Sequence, residues 1–194
     1  MPPKQHSVEE EIYTHECLWR SASAISNQLV VGSKDNLLLL LPTLLTTYLA
    51  YESFINFCGY ILCPDLWASE KENFKGKSLE HKIEVMLPQF KWCKGERPYQ
   101  TLRKLSDFRD LAAHGKVQRN QYTAECHDDG SHFSFDHAWD EYLTCDELNR
   151  FRADTKAFCE TLLVAARQVS DHPHLLYNAF EGPLASGSSG SHDG

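Results

Sequence analysis

Three polar residue types that support acid–base chemistry stand close together near the middle of the chain. In the stretch SDFRDLAAHGKV, residues 106–117, Arg109 is followed directly by Asp110 and five positions later by His114. An imidazole accepts and donates protons near neutral pH, and a guanidinium is a permanent planar cation. Asp110 lies four residues before His114, so a helix would place both on one face. Two interpretations are open: a catalytic group, or polar residues at a helix end.

The spacing of an arginine and a histidine is weak by itself, because it occurs twice in this chain. The second pair is Arg167 and His172. It is followed by Pro173, and such a sequence is typical of a helix that is ending. The first pair encloses Leu-Ala-Ala, which is compatible with a helix and small enough for another chain to approach. We therefore interpret the second pair as coincidental.

Arg109 and His114 point in different directions on a regular helix. Five residues turn through about 500°, so the two side chains diverge by roughly 140°. This favours a groove in which the long arginine reaches around the helix, or a seam between two identical chains, since a two-fold interface presents the same patch twice. We expect a homodimer.

The elements that must position these residues are mainly helical. Apolar residues recur at three- and four-residue steps, the period of a buried helix face, and the predicted helices cover residues 8–31, 36–62, 78–90, 99–114 and 144–169. Pro42 should kink the second helix or mark its first turn, and Thr144 with Glu147 predicts a capping box. Residues 63–77 are typical of a loop. The sequence predicts a mainly all-α bundle of about five helices, with a small β-hairpin insertion at 117–138 before the last helix.

The length of the chain is typical of a single domain. We expect a flexible N-terminus over residues 1–7, one helical domain over 8–180 and a flexible Gly/Ser-rich tail over 181–194. The N-terminus lacks the apolar region of a signal peptide. The apolar run at 37–45 is shorter than the ~20 residues of a membrane span. We expect a soluble, cytoplasmic protein that binds no membrane, with its seven cysteines as free thiols.

Charge and metal-ligand patterns exclude some classes of function. The net charge of −8 argues against a broadly basic surface that coats nucleic acid. Lysine and arginine are nevertheless denser over residues 71–119, around the candidate site. No CxxC occurs, and the spacings of the remaining cysteines and histidines match no zinc module. We therefore expect no metal and no cofactor. The cysteines and histidines that could be taken for metal ligands are Cys58, Cys63, Cys126, His127, His132 and His137.

The stretch Arg109-Asp110-Leu-Ala-Ala-His114 resembles the Arg-[Asn/Asp/His]-x3-His signature of HEPN domains (higher eukaryote and prokaryote nucleotide-binding). The small residue that usually follows the histidine is here Gly115. The predicted order of helices is similar too, over roughly residues 8–171. The segment around Glu52 is similar in texture to the family's helix that brings a polar residue towards the site.

The resemblance implies a metal-independent endoribonuclease that acts on single-stranded RNA as a homodimer, as a toxin with a protein antitoxin or as an anti-phage defence effector. His114 would exchange protons with the ribose 2′-hydroxyl or the leaving oxygen. Arg109 would stabilise charge on the phosphate, and Asp110 would orient either of them. The residues that would bind the substrate are Lys116, Arg119 and Glu52.

A non-catalytic protein is the alternative. The same residues would then serve a HEPN-like dimerisation, nucleotide-binding or antitoxin-like interaction module. His114 would act as a cation at a helix C-terminus, Arg109 and Asp110 as a surface ion pair, and Glu52 as a solvated or internally paired carboxylate.

Overall fold

One long helix forms the centre of the fold, and most of the other helices pack against it. The computed structural model describes residues 7–30, 36–91, 93–114 and 139–190. Within these ranges the elements, in chain order, are β1 (Ser7–Ile12), α1 (Thr14–Ser26), α2 (Asn36–Leu62), α3 (Pro64–Trp67), α4 (Glu70–Asn73), α5 (Leu79–Met86), α6 (Tyr99–Ala113), α7 (Cys145–Arg167), a 3-10 helix (Pro173–Leu176) and β2 (Ala185–Gly190). The prediction of a mainly helical protein is confirmed.

The central helix α2 contacts α1, α3, α5, α6 and α7. It runs through Pro42 without ending, so that proline marks neither the start nor the end of the helix. By length and composition alone α2 could cross a membrane, but half of its most apolar stretch is buried within the protein. Core helices that are apolar on all sides meet the same two criteria.

Four of the predicted helices are found close to their expected positions. They are α2, α5, α6 and α7. The side chain of Ser78 accepts a hydrogen bond from the backbone N–H of His81 at the start of α5, at 3.2 Å. Thr144 accepts from the N–H of Glu147 at 3.1 Å at the start of α7. These hydroxyl caps satisfy N–H groups that a helix leaves unpaired.

The prediction of a first helix over residues 8–31 is wrong at both ends. Residues Ser7–Ile12 form β1, which pairs antiparallel with β2, with Ile12 opposite Ala185. α1 begins only at Thr14 and ends at Ser26. The strand's hydrogen bonds go to a partner near the other end of the chain, which apolar periodicity within one segment does not reveal. β2 itself falls in the segment 181–194 that was expected to be a flexible tail.

The prediction of a loop over residues 63–77 is also wrong in part. Two single-turn helices, α3 and α4, lie there. They are stabilised by burial of Trp67 and Phe74, whose ring centres lie 4.6 Å apart. A segment rich in charged and turn-forming residues is therefore folded onto the core by two aromatic anchors. The predicted hairpin at 117–138 lies outside the described residues.

One buried cluster joins the helices. Its largest fully buried side chains come from α2, α5, α6, α7 and the segments next to them: Phe54, Phe108, Phe151, Leu44, Ile55, Ile83, Leu87, Leu105, Leu148, Leu162, Leu163 and Leu175. The loop before α6 is also tied to α7, because Arg97 donates two hydrogen bonds of 2.7 Å to the carboxylate of Asp154. This bidentate pair sets the start of the helix that carries the candidate site.

Candidate functional site

The helix α6 carries the Arg109-Asp110-x3-His114 stretch in its last turns. Its inner face is buried through Thr101, Leu102, Leu105 and Phe108. The helix ends at His114, whose backbone N–H donates to the carbonyl oxygen of Asp110 at 3.0 Å. The expected position of the motif at a helix end is confirmed.

Two neighbours hold the guanidinium of Arg109. Its Nη1 donates to Oδ1 of Asp110 at 2.7 Å, and its carbon lies 5.2 Å from the ring centre of Tyr48 on α2. Partial burial lowers the pKa of Arg109, but the hydrogen bond to Asp110 and the nearby Tyr48 and Glu52 outweigh this, and the pKa is raised. Arg109 is therefore a fixed, permanently charged group that is about one third exposed.

Arg109, Asp110 and Glu52 line one groove between α2, α4, α5 and α6. Its volume is about 400 Å³. The groove carries both signs of charge, and its ionisable lining groups are Glu52, Glu70, Lys77, Glu80, Lys82, Tyr48, Tyr51, Tyr99, Arg103, Arg109 and Asp110. Three of the predicted site residues are thus brought together. A charged phosphate could enter beside Arg109, with acidic residues limiting how many phosphates bind along the groove.

His114 stands outside this groove. Among the described residues that line the groove, α6 contributes Leu102, Arg103, Ser106, Arg109 and Asp110 but not His114. The His114 side chain is exposed at the helix end. His114 is the C-cap that follows Ala113, the last residue of α6. On an ideal helix its spacing from Arg109 corresponds to a divergence of roughly 140°. The groove of one chain therefore contains Arg109 but not His114.

The sequence did not indicate that Tyr48 supports Arg109. Tyr48 is buried, and it lines the groove together with Ser106 on α6. Burial raises the pKa of Tyr48, and the negative charge of Glu52 raises it further. The spacing contained a signal: Tyr48 and Glu52 are four residues apart on α2, and Ser106 and Arg109 are three apart on α6, so each pair lies on one helix face.

The second arginine–histidine pair has a different role. Arg167 donates to the carbonyl oxygens of Leu175 and Tyr177 at 2.6 and 2.7 Å. Nδ1 of His172 accepts from the backbone N–H of His174 at 3.3 Å. These contacts hold the chain after α7 in place, which agrees with the interpretation that this pair is not a site.

Several predicted residues lie outside the described part of the chain. Lys116 and Arg119, expected to bind substrate, are among them, as are Cys126, His127, His132 and His137. Within the described ranges, no three histidine, cysteine or acidic side chains are grouped so that they could hold a metal ion. Cys58, also considered as a metal ligand, is fully buried, and burial raises the pKa of its thiol above the ordinary range.

Comparison with known proteins gives no family for this chain. No protein-family model, curated protein or solved structure matches it. The case for a function therefore rests on the residues and geometry of the site itself.

Proposed function

We propose that this chain is a metal-independent endoribonuclease of the HEPN type that cleaves single-stranded RNA as a homodimer. The observation that carries the proposal is the fixed guanidinium of Arg109 in a groove, held by Asp110 at 2.7 Å and by the ring of Tyr48 at 5.2 Å. A preorganised planar cation is suited to a phosphate on which negative charge develops. The helical fold and the end position of the motif on α6 support the family resemblance.

The proposed reaction needs only protons and the substrate's own hydroxyl. A base removes the proton of a ribose 2′-hydroxyl, and that oxygen attacks the adjacent phosphorus. The bond from phosphorus to the 5′-oxygen breaks, and an acid protonates the departing oxygen. The products are a 2′,3′-cyclic phosphate and a free 5′-hydroxyl. His114 of one chain acts as the base and His114 of its partner as the acid.

A homodimer would bring Arg109 and His114 together even though they diverge on one helix. A two-fold axis near the end of α6 would bring His114 of one chain towards Arg109 of the partner. Lys116 and Arg119 follow directly in sequence and would bind flanking phosphates. Glu52, four residues from Tyr48, would limit the freedom of Arg109 through its charge. In this proposal the protein acts in the cytoplasm as a toxin or anti-phage effector restrained by an antitoxin protein.

A non-catalytic role is the second candidate. The observation that favours it is that Arg109 already has a carboxylate partner, while His114 stands apart from the groove. A HEPN-like dimerisation, nucleotide-binding or antitoxin-like module would use the same surface without cleaving RNA.

Cleavage of a labelled single-stranded RNA in EDTA distinguishes the two. We expect the wild type to cleave, and Arg109→Ala and His114→Ala each to lose at least about a hundredfold in rate, as expected for removal of a transition-state donor or a general acid–base. His172→Ala is the matched control, because it removes the histidine of the second pair, and it should cleave like the wild type. Equal activity in all four proteins, or none in any, would refute the proposal.

Growth after induced expression gives an independent readout. If the chain is a toxin, the wild type should slow growth and His114→Ala should not. Equal growth inhibition by both proteins would show that the inhibition does not depend on the proposed cleavage site.

A further inference from the structure

Two adjoining cavities lie between α1, α2 and the segment that follows α7; of the residues that line the candidate RNA groove, they share Glu70. The inner cavity has a volume of about 20 Å³ and the outer groove a volume of about 540 Å³. They share part of their walls, formed by Tyr13, His15, Phe57 and His174. An inner space of this size holds one group about as large as a water molecule, whereas the outer groove is in the range of small-molecule sites.

A carboxylate with an unused oxygen lines the inner cavity. Glu16 is only 2% exposed. Its Oε1 accepts a hydrogen bond from the backbone N–H of Gly182 at 2.8 Å, but its Oε2 has no partner among the described residues. Gly182 permits this approach, since a Cβ there would lie 3.1 Å from Oε1. A buried carboxylate that is only partly hydrogen-bonded is costly, so a donor that binds beside Glu16 in the inner cavity would be stabilising.

Within the described part of the chain, no lysine or arginine forms an ion pair with Glu16. The nearest ionisable side chain is His15, whose Nε2 lies 3.8 Å from Oε1 of Glu16. Burial lowers the pKa of His15 to about 4, so it is neutral at pH 7. Arg20 is exposed and donates to the carbonyl oxygen of Gly182 at 2.8 Å. Burial raises the pKa of Glu16. The hydrogen bond from the Gly182 N–H and the positive charge of Arg20 lower it, but by less than burial raises it.

The walls of both cavities are suited to a cation with an apolar body. Cations bind favourably to the faces of aromatic rings. The aromatic side chains that line the two cavities are Tyr13, Phe54, Phe57, Tyr60, Trp67 and Tyr177. Within the described residues, the linings include Glu11, Glu16 and Glu70 but no lysine or arginine. Glu70 forms an ion pair with Lys82. The remaining carboxylates give the site a negative character.

We propose that these cavities bind a primary ammonium compound, with its nitrogen in the inner cavity beside the carboxylate of Glu16 and its apolar or aromatic body along Phe57 and Trp67 in the outer groove. A primary ammonium matches the inner cavity because its single nitrogen is water-sized and carries three donors. The larger trimethylammonium group exceeds that space. This site is independent of the proposed RNA cleavage.

Isothermal titration calorimetry on the full chain with three matched probes tests the site. We expect 2-phenylethylammonium to bind the wild type at pH 7.5. The neutral isostere 2-phenylethanol and the bulkier 2-phenylethyltrimethylammonium should bind at least about tenfold more weakly, since a charged hydrogen bond is worth roughly 1.5–3 kcal/mol. In Glu16→Gln, which keeps the acceptor for the Gly182 N–H, the affinity for 2-phenylethylammonium should fall about tenfold or more.

A second variant keeps the test decisive if Glu16→Gln does not fold. Phe57→Leu removes one of the rings shared by both cavities. It should weaken the binding of 2-phenylethylammonium but keep the preference for the ammonium over the alcohol. Equal affinity for the ammonium and the alcohol, unchanged affinity in folded Glu16→Gln, or no binding by any probe would overturn the proposal. The RNA assay is unaffected by any of these results.

Discussion

Arg109 owes its position to contacts that come from two helices. Asp110, its neighbour on α6, accepts its hydrogen bond, and Tyr48 on α2 lies beneath its guanidinium. Asp110 could be identified from the sequence because it adjoins Arg109. Tyr48 could not, because its contact depends on how α2 packs against α6. The sequence therefore indicates the chemical groups at this site, but the groups that orient them follow from packing.

Replacing Tyr48 tests whether its ring positions Arg109. We expect Tyr48→Leu to lower the rate of RNA cleavage by about two- to fivefold, the effect of losing a cation–π contact of roughly 0.5–1 kcal/mol at a partly exposed site. Tyr48→Phe keeps the ring and removes only the hydroxyl group, so it should retain most of the rate. Circular dichroism establishes that both variants fold. Equal rates in the two variants would contradict a positioning role of the ring.

His15 should make the protein less stable in mild acid. Its pKa is lowered by burial from 6.5 to about 4, so the unfolded chain binds a proton that the folded chain does not between these values. Stability therefore rises with pH across this window and is lost as pH falls, by up to about 3 kcal/mol in total. Urea unfolding between pH 4.5 and 7.5 measures this.

His15→Phe is the comparison for that experiment, because Phe54, Phe57 and Phe180 already surround this ring. The nearby Glu16 titrates in both proteins, so the difference between them isolates the histidine. We expect the variant to lose less stability between pH 6.5 and 4.5 than the wild type. Parallel pH profiles would show that His15 is not buried in its neutral form.

At the scale of elements, the helices with a clear apolar face could be predicted, and the elements stabilised by distant partners could not. α6 and α7 have periodic apolar residues and recognisable ends, and α2 is a long apolar stretch; these are local properties of the sequence. β1 and β2 pair across nearly the whole length of the chain. α3 and α4 are single turns whose anchors, Trp67 and Phe74, are isolated aromatic residues in a polar segment.

The contact of α2 with α3 depends on a glycine. A Cβ on Gly59 would lie 2.0 Å from Cε2 of Trp67, so the indole packs directly against the backbone of α2. Although alanine favours helices by about 1 kcal/mol over glycine, we expect Gly59→Ala to lower the free energy of unfolding by about 1–3 kcal/mol through overpacking. Tryptophan fluorescence should shift to longer wavelength as Trp67 is displaced.

Gly95→Ala is the matched control, since nothing lies within 4 Å of a Cβ at that position. Its free energy of unfolding should stay within about 0.5 kcal/mol of the wild type. A Gly59→Ala protein as stable as this control, with unchanged fluorescence, would contradict the close packing of Trp67 on α2.

At the scale of the whole molecule, the divergence of Arg109 and His114 makes a dimer part of the proposed mechanism. Light scattering should give twice the chain mass of 22.2 kDa. Mixing the wild type with an excess of His114→Ala should then lower its activity well below that of the wild type alone, because each mixed dimer retains only one of the two histidines that the reaction needs. A monomeric protein, or a wild-type activity that the excess variant leaves unchanged, would contradict a shared site.

The most direct measurement of the proposed function compares two substrates of one sequence in EDTA: a single-stranded RNA, and the same RNA with one 2′-deoxy nucleotide at the cleaved position. We expect the wild type to cut the RNA to a 2′,3′-cyclic phosphate and a 5′-hydroxyl and to leave the deoxy-substituted bond intact, because the attacking hydroxyl is missing. His114→Ala should cut neither substrate. Cleavage at the deoxy position, or loss of all cleavage in EDTA, would contradict a metal-independent attack by the neighbouring hydroxyl.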